Sequence, residues 1–310
     1  MAIAAAALLI AGQPASASLP PPPDLLASLP SPDSPRAIRF ANGAVMLPDI
    51  PYEVIPGFRP MRLDLYLPKG SAKRGPLPLV MWIHGGAFEF GDPRTEMSWS
   101  DWPGVLADLS ARGYAVAAVS YRLSGEAKFP AQTDDLREAL RFLGKQAGRW
   151  NLDTRRSFVW GGSAGGHLVL MFGLAPAPAD ALYVIRGIVD WYGPVDFVGR
   201  YQPGSNSPEA RLLNCANAIC SPDALRAASP IALVRPGVPP LLAMHGTADS
   251  LVPLSESERI TARMKEVGAE AELVPVAGLE HGFWGGDKQQ LDTILARTFA
   301  FFDRHSRPDR

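Results

Sequence analysis

Excess charge of either sign is missing from this chain. Its 30 basic and 31 acidic residues leave a formal charge of −1, so no electrostatic pull toward nucleic acid or an anionic membrane exists, and the expected partner is a small or neutral molecule. Cysteine is almost missing as well, with only Cys215 and Cys220. Five histidines are present, but no Cys/His spacing resembles a ligand set, so neither a metal nor a cofactor is expected. No heptad pattern or internal repeat is present, which excludes coiled coils and solenoids. The apolar run Ala2–Ala11 would reach only ~15 Å as a helix against a hydrocarbon core of ~30 Å, so no stable membrane anchor is expected.

What is present suits a large folded domain. The chain has 310 residues, 47% of them hydrophobic, enough to bury the core of one large α/β domain. The Ala2–Ala11 run leads through Gly12-Gln13-Pro14 to Ala15-Ser16-Ala17, the pattern of a signal peptide over residues 1–17 with cleavage near Ala17, and hence a secreted or periplasmic protein. Residues 18–36 follow as a proline-rich linker, with Pro20 to Pro23 in succession, expected to be extended and poorly packed. The folded domain is assigned to 37–310. In an exported protein, Cys215 and Cys220 are expected to form a disulfide that stiffens a turn-rich loop, contributing at most ~2 kcal/mol in the chain-entropy picture.

Apolar runs of strand length occupy 61–67, 78–84, 114–121, 157–161, 185–192, 240–245 and 271–276. Several are apolar throughout, as strands covered on both faces should be. Helical patterns lie between them at 103–112, 131–147, 164–174, 254–267 and 287–303; in 131–147, Leu136, Ala139, Leu140, Leu143 and Ala147 recur at helical spacing. This alternation predicts an α/β fold with a mostly parallel central sheet and helices on both faces, its reactive groups gathered at the carboxyl ends of the strands. The turn-rich segment 194–230 interrupts the alternation and is expected to be a loop-rich, cap-like insertion over that end.

The most telling stretch is Gly161-Gly162-Ser163-Ala164-Gly165, after the apolar run Ser157–Trp160 and before a helical pattern. A strand feeding a helix through such small residues forces a tight turn that lifts the serine hydroxyl above the sheet. Acyl transfer by a serine also needs a base, a carboxylate to orient it, and donors for the developing oxyanion. Asp249 lies beyond the strand that ends at His245, and His281 beyond the one that ends at Val276, in the order Ser, Asp, His. Asp190 and Asp196, near another strand end, are rivals for the carboxylate role, Asp196 the stronger. Upstream, Gly85-Gly86-Ala87 follows the strand ending in Ile83-His84. Two of these backbone N–H groups, with that of Ala164, would form the oxyanion hole; Gly86 with Gly85 is the favoured pair.

Taken together, His84-Gly85-Gly86-Ala87-Phe88, Tyr121-Arg122-Leu123-Ser124, Phe129-Pro130-Ala131-Gln132 and Gly161 to His167 are joined by Tyr192-Gly193-Pro194, His245-Gly246-Thr247-Ala248-Asp249 and Gly278 to His281. Over roughly 50–303 the chain resembles an α/β-hydrolase of the esterase/lipase group, in particular the bacterial feruloyl/acetyl esterase-like (BD-FAE) family. In the strand count of that fold the insertion follows strand 6. The resemblance implies Ser163 as nucleophile, His281 as base and Asp249 as orienting acid. It also implies short acyl esters, acetyl or hydroxycinnamoyl, on small or carbohydrate-linked alcohols. Ala87 departs from a third glycine found in hormone-sensitive-lipase-like relatives, which narrows the nearby space without removing the backbone donor.

His84, His167 and His245 read as structural hydrogen-bonding groups, and Glu280 as a solvated loop charge. Among the aromatics, Phe88, Phe283 and Trp284 directly follow catalytic segments and are expected on the pocket wall. Two other functions fit parts of the pattern. One is an amide-bond hydrolase, arylformamidase-like or prolyl-oligopeptidase-like. The other is an inactive hydrolase-fold binding protein, which the complete set of motifs disfavours.

Overall fold

The computed structural model describes residues 21–307; the expected signal peptide lies outside them. Nine strands form one sheet: β1 (Ile38–Arg39), β2 (Val45–Glu53), β3 (Met61–Leu67), β4 (Leu77–Ile83), β5 (Ala115–Val119), β6 (Leu152–Gly162), β7 (Ile185–Trp191), β8 (Leu241–Gly246) and β9 (Ala271–Val276). Their order is β1-β2-β3-β5-β4-β6-β7-β8-β9. The first three pairings are antiparallel and those from β5 to β9 are parallel. This is the mostly parallel α/β sheet the alternation of patterns predicts.

The helices are α1 (Pro23–Ala27), α2 (Trp102–Ala111), α3 (Ala131–Lys145), α4 (Ala147–Trp150), α5 (Ala164–Leu174), α6 (Phe197–Arg200), α7 (Pro208–Leu212), α8 (Pro222–Ala227), α9 (Ser255–Glu266) and α10 (Lys288–His305). Alternation along each strand divides the core in two. Leu79, Met81 and Ile83 of β4 pack with residues of α3, α5 and α9 on one face. Val80 and Trp82 pack with those of α2 and α10 on the other. Because both faces are covered, the central strands read as continuous apolar runs. Every residue of α5 is buried, so it shows no amphipathic stripe.

Two strands at one edge, β1 and β2, escape the sequence reading. β2 carries Pro48 and Pro51, which read as strand breakers. Both lie past the two residues that β1 pairs, where one side of the strand is open, and beside irregularities in its register with β3. There a missing N–H costs little.

The proline-rich segment is also not the loose tether its composition suggests, at least over its described part. It forms α1 and buries Leu29. Arg149 donates to the carbonyls of Leu26 and Leu29 at 3.2 and 3.1 Å, and the Trp150 indole to that of Pro30 at 3.1 Å. Pre-set backbone angles and accepting carbonyls let such a segment dock on neighbouring donors at little entropic cost. The insertion over 194–230 is built from short helices, with Cys215 and Cys220 disulfide-bonded between α7 and α8.

Trp82, Trp102, Trp160 and Trp191 form one buried cluster beneath the sheet, Trp160 lying 4.8 Å from both Trp82 and Trp191 by ring centroid. Replacing Trp160 by Ala empties the centre of that cluster. The expected loss of stability is about 3–5 kcal/mol, measurable by denaturant unfolding monitored by circular dichroism.

Candidate active site

Four strand ends, those of β4, β6, β8 and β9, bring the site together, and the tightest of them is the passage from β6 into α5. Ser163 is held there at φ 54° and ψ −119°, a conformation rare for a non-glycine residue and costing on the order of 1–3 kcal/mol. The surroundings impose it: the Ser163 N–H donates to Trp191 O at 2.8 Å, and His167 N–H to Ser163 O at 2.9 Å. A Cβ on Gly165 would overlap the carbonyl oxygens of Ile83 and His84, and one on Gly161 would overlap Gly165. Only glycines let α5 sit this close to β4 and β6.

Ser163 Oγ lies 2.8 Å from His281 Nε2, and His281 Nδ1 lies 2.8 Å from Asp249 Oδ2. An ionised carboxylate only accepts, so Nδ1 carries the imidazole hydrogen and Nε2 is free to accept from the serine hydroxyl. Burial by itself would push the Asp249 carboxyl up. The hydrogen bonds from His245 and His281 outweigh it and hold the group well below the usual carboxylate range. The other oxygen, Oδ1, accepts from Leu251 and Val252 N–H at 3.0 and 2.8 Å. The structure therefore brings Ser163, His281 and Asp249 into one hydrogen-bonded line. The rival Asp196 is occupied elsewhere, paired with Arg259 and capping Val198. Asp190 is fully buried under the turn and accepts from Gly193 N–H at 2.9 Å.

The turn after β4 arrives beside the serine because β4 and β6 are neighbours, with Ile83 opposite Gly161. A Cβ on Gly85 would lie 3.2 Å from the Ser163 Cβ. Among the described residues the N–H groups of Gly86 and Ala164 donate to no protein acceptor, and Ala164 opens α5, whose dipole adds positive potential there. His84 stacks on Tyr121 at 4.5 Å and contacts Gly85 O through Nδ1; burial pulls it down to about 4. His167 stacks on Phe197 and contacts Pro194 O; burial pulls it down to about 3. Both are neutral structural groups near neutral pH. Glu280, expected as a solvated charge, accepts from the N–H and hydroxyl of Ser250 at 3.0 and 2.9 Å, fastening the Asp249 loop to the His281 loop.

A cavity of about 910 Å³ opens over Ser163 and His281. Gly85, Gly86, Phe88 and Phe90 line one side, and Arg200, Gln202, Ser205 and Glu209 of the insertion another. Phe88 is among the residues lining this cavity, but Phe283 and Trp284 are not. Phe283 turns into the core against Trp191 and Tyr192, and Trp284 is 54% exposed to solvent. The tight turn at His281–Phe283, with Gly282 at φ 72°, directs the two rings away from the cavity.

One site residue, Glu96, was not legible in the sequence, and Tyr192 was legible there only as part of Tyr192-Gly193-Pro194. Glu96 lines the cavity, is nearly buried, and accepts from the Tyr192 hydroxyl at 2.7 Å. The Tyr192 ring stands edge-on to His281 at 5.0 Å. Burial pushes the Glu96 carboxyl up. Glu96 lies in a loop with no motif, and only the fold carries it there. Among the described residues no group of three or more His, Cys, Asp or Glu side chains is placed to hold a metal ion. None of the described helices is long and apolar enough to cross a membrane.

Comparisons with known proteins bear on the family and the fold. The model of the BD-FAE family matches residues 63–264. Over 237 residues the chain is 26% identical to Esterase LipC of Mycobacterium tuberculosis, an alignment covering 71% of this chain and 56% of LipC. Over 272 residues it is 27% identical to the isoprenylcysteine alpha-carbonyl methylesterase ICME of Arabidopsis thaliana, covering 76% and 58%. The chain thus spans just over half the length of these curated relatives. Its fold superposes on a truncated carbohydrate esterase from gut microbiota with a TM-score of 0.71 at 26% identity, covering 84% of this chain and 96% of that one. For an esterase of Thermogutta terrifontis the values are 0.68, 23%, 88% and 94%, a likeness of fold.

Asp190 supplies a pH test of this interior. Burial pushes its carboxyl up to about 7, against the opposing influence of His245 and the Gly193 N–H. Between the unfolded carboxyl range near ~4 and that value, the folded state binds more protons than the unfolded one, so this group's contribution to stability falls as pH rises through the window. Asp190→Asn removes that dependence and keeps an acceptor for Gly193. The melting-temperature advantage of the variant over wild type is expected to grow from pH 4 to pH 7 and level off above; a constant difference would contradict the assignment.

Proposed function

Because this chain belongs to the BD-FAE family of α/β-hydrolases, we propose that it is a serine carboxylic-ester hydrolase that works through an acyl-enzyme on Ser163. The observation that carries this reading is the line from Ser163 Oγ through His281 to Asp249, with both contacts at 2.8 Å. Ser163 Oγ attacks the ester carbonyl carbon while its proton passes to His281 Nε2; Asp249 keeps the ring oriented and stabilises the imidazolium. The carbonyl oxygen becomes an oxyanion received by the N–H of Ala164 and by the N–H groups of Gly86 and Gly85, each donor supplying about 3 kcal/mol of transition-state stabilisation. His281 then returns its proton to the departing alcohol, and water attacks the acyl-serine by the same route in reverse roles.

For substrate, we read short acyl groups, acetyl or hydroxycinnamoyl, on an alcohol that is small or carbohydrate-linked. The support is the cavity of about 910 Å³ with an apolar side at Phe88 and Phe90 and a polar side from the insertion, together with likeness to a carbohydrate esterase. Residues 37–310 are taken as one hydrolase domain with 194–230 as its cap-like insertion. A secreted or periplasmic location is supported by the N-terminal apolar run and by the Cys215–Cys220 disulfide, since disulfides persist in oxidising compartments.

Ser163→Ala is expected to lower kcat on p-nitrophenyl acetate by about 10⁶ and to abolish covalent labelling by a fluorophosphonate. Labelling that persists in the variant would remove Ser163 as the nucleophile. Run in parallel, N-formylkynurenine and a dipeptidyl anilide should turn over far more slowly than acetyl and feruloyl esters; the opposite ranking would assign an amide-bond hydrolase.

A further inference from the structure

The oxygen of Asp249 that receives His281 has a second imidazole beside it. His245, at the end of β8 and one turn before Asp249, places Nε2 3.2 Å from Oδ2, and solvent reaches neither side chain. The partners of His245 decide where its hydrogen is. Nε2 also lies 2.7 Å from the carbonyl oxygen of Val252, which can only accept, so Nε2 carries the hydrogen and shares it between Val252 O and Asp249 Oδ2. Nδ1 lies 2.7 Å from Ser257 Oγ on α9, whose hydroxyl donates to it. The ring is thus held by the Ser257 hydroxyl at Nδ1 and by the Val252 carbonyl at Nε2, in addition to its contact with Asp249. Val252 closes the circuit, because its N–H donates to Oδ1 of the same carboxylate.

We propose that His245 is a positioning residue for the hydrolytic reaction: its Nε2–H holds Asp249 Oδ2 in line with His281 Nδ1 and draws off part of the charge that His281 would otherwise feel. The proposal rests on the reading of Ser163, His281 and Asp249 as the triad. Without that second donor, Oδ2 would face His281 alone. The carboxylate would be less firmly aimed, the imidazolium would be favoured more strongly, and the pH at which the rate rises would move up. Other groups in the neighbourhood stay in place. Glu96, from the loop before α2, and the Tyr192 ring face His281. Asp190 of β7 acts on His245 and is itself acted on by Glu256 of α9, and Glu280 holds the neighbouring Ser250. A difference between variants at position 245 therefore reports on the shared oxygen.

The test compares two variants of the full chain. His245→Asn sets an amide where Nδ1 stood, within reach of Ser257 but short of Asp249. His245→Gln extends its amide to the Nε2 position and restores the donor. With p-nitrophenyl acetate, His245→Asn is expected to lower kcat about tenfold while KM changes by less than about twofold. The acid limb of its pH–rate profile should rise by about half a unit. His245→Gln should recover most of kcat and return the limb toward its wild-type position. The low-field proton NMR signal of the His281–Asp249 hydrogen bond should shift in His245→Asn and return in His245→Gln. That readout needs no turnover, so a wild type that fails to hydrolyse esters would refute the triad reading while the role of His245 is still decided. Equal losses in both variants with the limb and the NMR signal unmoved overturn the proposal, as does wild-type behaviour of His245→Asn. If His245→Asn does not fold, Ser257→Ala takes its place. It loosens the ring at Nδ1 and should move the same limb upward; an unmoved limb overturns the proposal.

Discussion

The close packing of α5 against the ends of β4 and β6 is the constraint on which the rest of the site depends. Gly161 and Gly165 leave no room for side chains between them, and the helix can start only if Ser163 accepts a backbone conformation few residues adopt. That strain is sustained by burial of the whole helix. In return, the hydroxyl stands clear of the sheet, the first free N–H of the helix points to the same space, and the turn after β4 passes alongside. Sheet order does the remaining work. Because β4 and β6 pair directly, and β7, β8 and β9 follow in sequence, each of the other groups needs only a short loop at a strand end to reach the serine.

Electrostatics inside this frame sort the ionisable groups. Burial keeps His84 and His167 neutral, with values of about 4 and about 3, so neither competes as a cation near the serine. Burial also pushes Glu96 and Asp190 toward their protonated forms. Asp249 alone among these acids is held firmly ionised, by hydrogen bonds that exceed its desolvation cost. Negative charge is thereby concentrated on the carboxylate that His281 contacts. The same logic explains why two imidazoles can approach one carboxylate in a dry interior: each N–H offsets part of the cost of burying the charge.

Much of this was legible in residue order. The strands from 61 onward and the helices between them were readable because strands covered on both faces are continuous apolar runs, and because α3 keeps an amphipathic spacing. Ser163, Asp249 and His281 were readable because each sits in a motif whose small residues have a geometric purpose. What failed did so for particular reasons. β2 was hidden by Pro48 and Pro51, tolerated only beside bulges near an open edge. Phe283 and Trp284 were misplaced because proximity in sequence to His281 does not set the direction of a ring after a turn. The proline-rich segment docks because Arg149 and Trp150 happen to offer donors to its carbonyls.

The amino-acid sequence by itself determined the alternation of strands and helices, the junction at Ser163 and the order of Ser163, Asp249 and His281, since these rest on local periodicity and on the space glycine leaves. Only the tertiary structure decided that Glu96 and Tyr192 flank His281, that Asp196 is committed to Arg259, and that His245 shares a carboxylate oxygen with His281. Those contacts join residues from separate strands and loops, and their distances are set by how the sheet twists and packs, which no local pattern encodes.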